Sequence, residues 1–339
     1  MSRANRKKRK SKIIIIITAV FLVLFLGAGF FGYSKLGKLK TAKLDENSLG
    51  IDENGYKQSA NEALKNASGK NSPDIEKDYS NILVMGIDVT KEVNNAFSAD
   101  SILIATVDRY NKKLKLTSIM RDSLVNVDGV GDTKLKYAYS YGGPQLLVKT
   151  VNQSFNMNIK DYVKVDFSDV EKIVDYLGGV EINVKAEEID LINGYQKGMA
   201  NSGGKKYTTI KKSGLQTLNG KQAVAYSRIR YVGNYDYERT ERQRRVISEI
   251  LRKFSDKNPI ELVSITDKLL PLVETNLGKG EILSLGSYIV TNKLTKPVQF
   301  RIPTDSTAHD YTNPKDGLYY MKWDKKPTID ALHDFIFIQ

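Results

Sequence analysis

Apolar positions in this chain begin as one unbroken block and only later break into the short alternating runs of a folded domain. The block, "IIIIITAVFLVLFLGAGFFGY" from Ile13 to Tyr33, holds 21 residues without a charge. As a helix it is long enough to cross the roughly 30 Å hydrocarbon core of a bilayer. The twelve residues before it, "MSRANRKKRKSK", carry seven Lys or Arg and no acid. A basic flank on that side predicts a cytoplasmic N-terminus and a body outside the cell. The run exceeds the apolar part of a cleaved signal peptide, and no small-x-small cleavage site is clear before Lys35, so it reads as a retained signal anchor.

Residues 34–78 are polar and lysine-rich, with weak helical spacing in "ANEALKNAS" and a break at Ser72-Pro73, and they read as a juxtamembrane stalk. From Tyr79 the pattern changes. "NILVMGID" (81–88), "SILIATVD" (101–108) and "KLKLTSIM" (113–120) read as strands, rich in Ile, Leu, Val and Thr between polar turns. "GGPQLLVKTVNQSF" reads as a helix, "DYVKVDF" (161–167) as an alternating strand, "SDVEKIVDYL" as a helix stopped by Gly178-Gly179, and "VEINV" (180–184) as a strand.

A polar, glycine-containing loop (185–213) follows, then "NGKQAVAYSRIR", a helix over about 239–254, and helical segments at 259–274 and 280–291. "VQFRIP", "LYYMKWD" and a helix at "TIDALHDFIF" close the chain. The expected organisation is a basic tail (1–12), an anchor (13–33), a stalk (34–78) and one domain (79–339). That domain is α/β, or α+β, with a mixed sheet covered by helices on both faces.

Composition changes this picture in two places. The formal net charge is +13, but Met1 to Lys40 holds ten basic and no acidic residues, so the other 299 residues carry only +3. The basic balance is mostly a topology signal, and a near-neutral body outside the cell argues against nucleic acid as a partner. The chain has no cysteine, which excludes disulfides and thiolate metal sites.

The three early strands are joined by about 12 and 4 residues with no crossover helix, so an antiparallel meander is expected. One edge of that meander gathers Asp88, Asp100 and Arg121, whereas Asp108 lies at the opposite edge as a turn residue. Two carboxylates at a loop mouth suit Mg²⁺, which takes one or two carboxylates and completes its shell with water and phosphate oxygens.

"SRIRYVGNYDYERTERQRR" (227–245) holds six arginines and no lysine. Arginine without lysine suits forked binding of phosphate or carboxylate. On a helical wheel, Ile247, Ile250, Leu251 and Phe254 centre a buried stripe about 60–70° from Arg239. Arg239 and Gln243 then lie on or beside the stripe, Arg242 and Arg244 at its margins, and Arg245 and Glu241 point away. An inward arginine in a first turn requires an anionic partner. Asp236 is either the helix cap or a carboxylate that orients an arginine or accepts a proton. Arg228 and Arg230 face one way if their segment is extended.

His309 and His333 are too far apart for a local zinc motif, and no G-x-S-x-G, P-loop or cysteine nucleophile is present. "GVGDTK" (129–134) is too short to be a phosphate loop. Direct displacement by a substrate hydroxyl is the chemistry left open.

These residues resemble the LytR-CpsA-Psr proteins of Gram-positive cell walls. The likeness spans about 79–255 and rests on "NILVMGID", "SADSILIATVD", "SIMRDSLV", "KLKYAYSYGGP", "VDYLGGVEI", "LNGKQAVAYSRIR" and "DYERTERQR", in that order and behind an anchor. The resemblance implies a membrane-anchored, Mg²⁺-assisted phosphotransferase, with Mn²⁺ as an alternative ion. It would move a glycopolymer, teichoic acid or capsular polysaccharide, from undecaprenyl pyrophosphate to peptidoglycan.

Carried over by motif, Asp88 and Asp100 look like the metal carboxylates. Arg121, Arg228, Arg230 and Arg239, with Gln243, look like the pyrophosphate cradle and Asp236 like its acidic partner and candidate base; Gln243, Arg242 and Lys134 are the expected substrate-binding residues. Two positions depart from the family. Ser98-Ala99-Asp100 stands where Arg-Ser-Asp is usual, and Lys136 replaces an Asn. A non-catalytic lipid-pyrophosphate binder acting as an envelope regulator is the alternative reading.

Overall fold

The computed structural model describes residues 39–65, 73–93, 96–203, 207–229, 242, 245–246, 249–250, 252–253, 261, 268–292, 294, 297–314 and 317–338. The expected tail and anchor, 1–33, lie outside the described residues, and no described helix is long and apolar enough to cross a membrane.

In chain order the elements are β1 (Lys40–Thr41), α1 (Glu53–Lys65), α2 (Ile75–Asp78), β2 (Tyr79–Val93), β3 (Ala96–Asp108), β4 (Lys113–Ile119), β5 (Leu124–Val127) and β6 (Gly131–Lys134). There follow α3 (Leu135–Phe155), β7 (Asp161–Asp166), α4 (Phe167–Tyr176), β8 (Val180–Val184), α5 (Ile189–Gly203), β9 (Gly214–Leu218) and α6 (Gly220–Arg228). The last are β10 (Val273–Thr275), α7 (Lys279–Thr291), β11 (Val298–Ile302), β12 (Ala308–Thr312), β13 (Tyr319–Trp323) and α8 (Lys325–Phe337).

Seven strands form the central sheet in the order β1-β10-β7-β2-β3-β4-β11. β2, β3 and β4 pair antiparallel as the short connections require, while β7 joins β2, and β11 joins β4, in parallel. Side-chain alternation sends Ile82 and Val84 of β2 to one face and Leu83, Met85 and Ile87 to the other. The first face is covered by α4, α5, α6 and α7, the second by α1, α3 and α8. Both faces of the sheet are therefore dry, which explains strands that are apolar at nearly every position.

Several expectations are corrected. The stretch read as a stalk belongs to the domain at its described residues: Leu49, Tyr56 and Ala60 are buried in the second face's core, and β1 pairs with β10. Its apolar stripe is short and partly alanine, so it reads weakly in sequence. The supposed loop 185–213 contains α5, anchored by the fully buried Ile192. The segment around Arg228 is the end of a helix, not an extended strand. α6 packs so tightly on α4 that a Cβ at Gly220 would lie 1.9 Å from the Glu171 carbonyl oxygen. Only glycine admits that approach, and it sets where the far end of α6 falls.

Asp108 sits at the far end of the meander. It accepts from the backbone N–H and side-chain amide of Asn111, both at 2.8 Å, and it is also fully buried against Lys115 Nζ at 2.6 Å. The two histidines divide as surface and core: His309 is exposed beside Asp324, and His333 is buried on the Phe155 carbonyl.

Asp161 begins β7 at the same end. Burial and the charge of Glu281 push its carboxyl up to about 6. The folded state therefore holds this proton more tightly than the unfolded chain. The stabilisation is complete below the ordinary aspartate range and is lost as pH rises through 6. Asp161→Asn is expected to stabilise the fold at neutral pH by on the order of 1–2 kcal/mol, allowing for partial exposure. Urea denaturation across pH 4–7 would then be flatter than in the parent protein; an unchanged pH profile would refute the shift.

Candidate active site

The sheet's other end carries the candidate chemistry. Past Gly86 the β2–β3 ladder slips: Gly86 pairs with Ser101 and Ile87 with Ala99, so Asp100 is the extra residue of a bulge. Bulges re-aim side chains and concentrate next to active sites. Here Ala99 joins the second face's core, and the carboxylate of Asp100 turns to Arg121 Nη1 at 2.5 Å. Two residues earlier, Ser98 pairs across the ladder with Asp88.

Asp88 in turn receives Arg228 Nη2 at 3.0 Å from the end of α6. All four side chains are largely covered: Arg121 is 13% exposed, Asp100 12%, Asp88 15% and Arg228 28%. Two carboxylate–guanidinium pairs thus meet at one edge, reaching it from β2, β3, the end of β4 and α6.

The loop after β4 is held from outside the site. The backbone N–H of Met120 donates to the Ile302 carbonyl, that of Lys136 to the Arg121 carbonyl, and that of Met321 to the Asp122 carbonyl. Asp122 bridges Arg121 Nε at 3.4 Å and Lys134 Nζ at 3.3 Å. Lys134, the N-cap of α3, also stands over the Tyr320 ring. The structure therefore brings Lys134 beside Arg121 through a carboxylate that the sequence reading passed over. The only sequence signal for Asp122 was its adjacency to Arg121.

Arg242 is corrected outright. The helix wheel places it at the margin of the buried stripe, and it is expected to contact substrate, yet it is fully buried. Its Nε meets Glu188 Oε1 at 2.7 Å, and its Nη1 donates to the Ile229 carbonyl at 3.3 Å. The described residues of this segment are helical, and Arg242, Val246 and Ile250, spaced four apart, are its buried line. An ion-paired core arginine carries no hydrophobic signal, so apolar spacing alone does not reveal this buried line. Beside it, burial and the charge of Glu188 push the Tyr226 hydroxyl above its ordinary range, and Arg245 Nη1 donates to that hydroxyl at 2.9 Å. Arg230, Asp236, Arg239 and Gln243 lie outside the described residues.

The departures from the family pattern have definite places. Ser98 is fully buried, and its Oγ has no hydrogen-bond partner among the described residues. Lys136 is buried with its ammonium 4.6 Å from the Tyr137 ring centre. Asp166, paired with Ile87 at the end of β7, is a further acid at this end, and burial raises its pKa.

Two hard carboxylates with a buried, unpartnered hydroxyl beside them fit an ion of the Mg²⁺ type. Among the described residues no cluster of three or more His, Cys, Asp or Glu could hold a metal, so a cage built wholly from those residues is not the arrangement. A cleft of about 400 Å³ opens at the opposite end, between Tyr79, Arg109 and Asp161. Its lining holds four acids and three bases, with Lys57 Nζ on Glu76 at 2.7 Å and Arg109 donating to Ser80 Oγ at 2.9 Å, and it offers no convergent cationic wall.

The LytR_cpsA_psr family model matches residues 49–332, which extends the likeness well beyond 79–255 on both sides. The chain is 28% identical over 328 residues to polyisoprenyl-teichoic acid–peptidoglycan teichoic acid transferase TagT of Bacillus subtilis (strain 168), covering 94% of this chain and 93% of that relative. It is 30% identical over 258 residues to the regulatory protein MsrR of Staphylococcus aureus (strain COL), covering 75% of this chain and 73% of the relative.

Among solved structures, the LytR-CPS2A-psr family protein YwtF (TagT) with bound octaprenyl pyrophosphate lipid superposes with a TM-score of 0.52 at 27% identity, covering 79% of this chain and 92% of that one. With its motifs, its mixed sheet and most of its length accounted for in this way, the chain belongs to the LytR-CpsA-Psr family.

Proposed function

We propose that this protein is a membrane-anchored transferase that moves a teichoic-acid-type or capsular glycopolymer from a polyprenyl pyrophosphate carrier to peptidoglycan. One observation carries the reading: Asp88–Arg228 and Asp100–Arg121 converge at a single sheet edge, in a chain whose relatives include a named teichoic acid transferase. One solved relative, YwtF (TagT), carries a bound octaprenyl pyrophosphate lipid, which is the carrier's chemistry.

Arg121 and Arg228 offer forked donors to pyrophosphate oxygens, and transfer of a phosphoryl group depends chiefly on such charge stabilisation. Asp88 and Asp100 are the residues that would hold Mg²⁺ or Mn²⁺, which would neutralise charge on the pyrophosphate. The acceptor hydroxyl attacks the sugar-linked phosphorus, the bond to the polyprenyl phosphate breaks, and that phosphate leaves on its lipid. Asp100 or Asp236 takes the hydroxyl proton. The cradle lacks the arginine that the family pattern puts at position 98, so Arg121 and Arg228 carry more of the burden.

The test incubates the full chain in detergent with a synthetic lipid-pyrophosphate sugar, Mg²⁺ and peptidoglycan oligomers, and reads product by mass. Sugar-phosphate on the oligomer is expected, and EDTA is expected to remove it, with Mg²⁺ or Mn²⁺ restoring it. The relative named a regulatory protein, at 30% identity, favours one rival. Tight lipid binding without product for any acceptor would establish that non-catalytic role instead.

A further inference from the structure

The chain enters the domain at β1, and the strand registers fix the direction of entry. β1 runs parallel to β10, with Lys40 opposite Glu274, and β10 runs antiparallel to β7, with Glu274 opposite Lys164. Lys164 lies opposite Met85 of β2. Lys40 is therefore level with Met85, three residues from Asp88 and six from Tyr79. At strand pitch that is about 10 Å from the level of the site and about 20 Å from the level of Tyr79. Read backwards, β1 points toward the site end. The charge of Lys40 also reaches Asp166 there, lowering a carboxyl that burial raises.

Between Tyr33, where the uncharged run ends, and Leu39, where the described fold begins, lie six residue steps. Fully extended they reach about 20 Å. If the run spans a bilayer, as the proposed function holds, the membrane surface lies within that distance of Leu39. A chain arriving from the site end on so short a tether presents that end to the lipid. The opposite end, with the turn at Tyr110 and Lys112, then faces away.

The site end also carries two apolar rings that the fold does not bury. Phe97 is 39% exposed and Tyr141 is 41% exposed, and Ser140 Oγ donates to the Phe97 carbonyl at 2.7 Å, which ties the two segments together. Both flank the bulge that carries Asp100. Aromatic side chains at a lipid–water boundary gain from a partly apolar, partly wet surrounding.

We propose that the Asp100 end of the sheet rests on the bilayer, with Phe97 and Tyr141 at headgroup level. The arrangement rests on the anchor reading above, and it brings the paired arginines to the depth at which a lipid-borne pyrophosphate emerges.

The chain has no cysteine, so single reporters can be introduced cleanly. Full-length Phe97→Cys, Tyr141→Cys and Lys112→Cys variants, labelled with an environment-sensitive dye, would be reconstituted into phosphatidylglycerol–phosphatidylethanolamine vesicles containing headgroup-proximal spin-labelled lipid. Phe97 and the end of β3 near Lys112 are roughly 35 Å apart along the strand. Strong quenching at 97 and 141 with little at 112 is expected. Strong quenching at 112 alone, or none at any position in protein that stays with the vesicles through a high-salt wash, would overturn the orientation while leaving the anchor intact. Protein that washes off would overturn the anchor and the orientation with it. A Phe97→Ser, Tyr141→Ser double variant is expected to raise KM several-fold for long-chain carrier in vesicles and to leave turnover of a short, soluble carrier analogue unchanged. Equal effects on both would also count against lipid contact.

Discussion

Arg121→Ala is expected to reduce glycopolymer transfer by roughly 10²–10³-fold, the usual loss when one preorganised donor to developing charge is removed. The guanidinium sits at the crossing of two carboxylates, 2.5 Å from Asp100 and 3.4 Å from Asp122, so its loss removes the proposed phosphate donor and a charge partner of Asp100. The fold should survive. The Arg121 loop is held by backbone bonds from Met120, Lys136 and Met321, none of which uses the side chain. Arg121→Lys keeps the charge but loses the fork, and an intermediate loss is expected. Steady-state rates with mass-detected product decide it, with thermal unfolding as the control. An alanine variant that transfers at the parent rate would remove Arg121 from the site.

Glu188→Ala is expected to destabilise the domain by about 3–5 kcal/mol, because it removes the carboxylate facing a fully buried guanidinium. Glu188 and Arg242 both have no exposed side-chain surface and meet at 2.7 Å, and Glu188 Oε2 also accepts the backbone N–H of Lys185 at 2.9 Å. The consequence reaches the site. Arg242 binds the carbonyl of Ile229, the residue directly after Arg228, so loosening the pair loosens the end of α6 that delivers Arg228 to Asp88. Glu188→Leu with Arg242→Met should recover much of the stability, since two apolar groups leave no buried charge. Urea unfolding of the parent, the single and the double variants measures this directly. A cost under about 1 kcal/mol for Glu188→Ala would mean that water reaches the pair.

Much of the geometry of the candidate site was legible in the sequence, residue by residue. Strands "NILVMGID", "SILIATVD" and "KLKLTSIM" are strongly apolar and closely linked, and short links between strands admit only antiparallel pairing. That topology alone puts Asp88, Asp100 and Arg121 on one edge and Asp108 on the other, as found. The arginine-rich segment suggests an anion site by composition, and most of it lies outside the described residues. Arg228 does not lie on an extended segment: it ends a helix, and it reaches Asp88 because Gly220 lets α6 lie close on α4.

What the chain's own pattern determined, then, is the alternation that builds a sheet with two dry faces, the antiparallel order of its first three strands and the edge on which carboxylates and arginine collect. These follow from local periodicity and chain connectivity. Tertiary structure alone decided the bulge that turns Asp100 toward Arg121, the folding of residues 39–65 into the core, and the role of Arg242 as a buried ion pair. Each depends on partners far apart in sequence: Arg242 and Glu188 are 54 residues apart, and Leu39 and Tyr56 pack against strands and helices that come much later. A charged side chain is stable in a core only when its counter-charge is delivered there, and only packing determines which charge arrives.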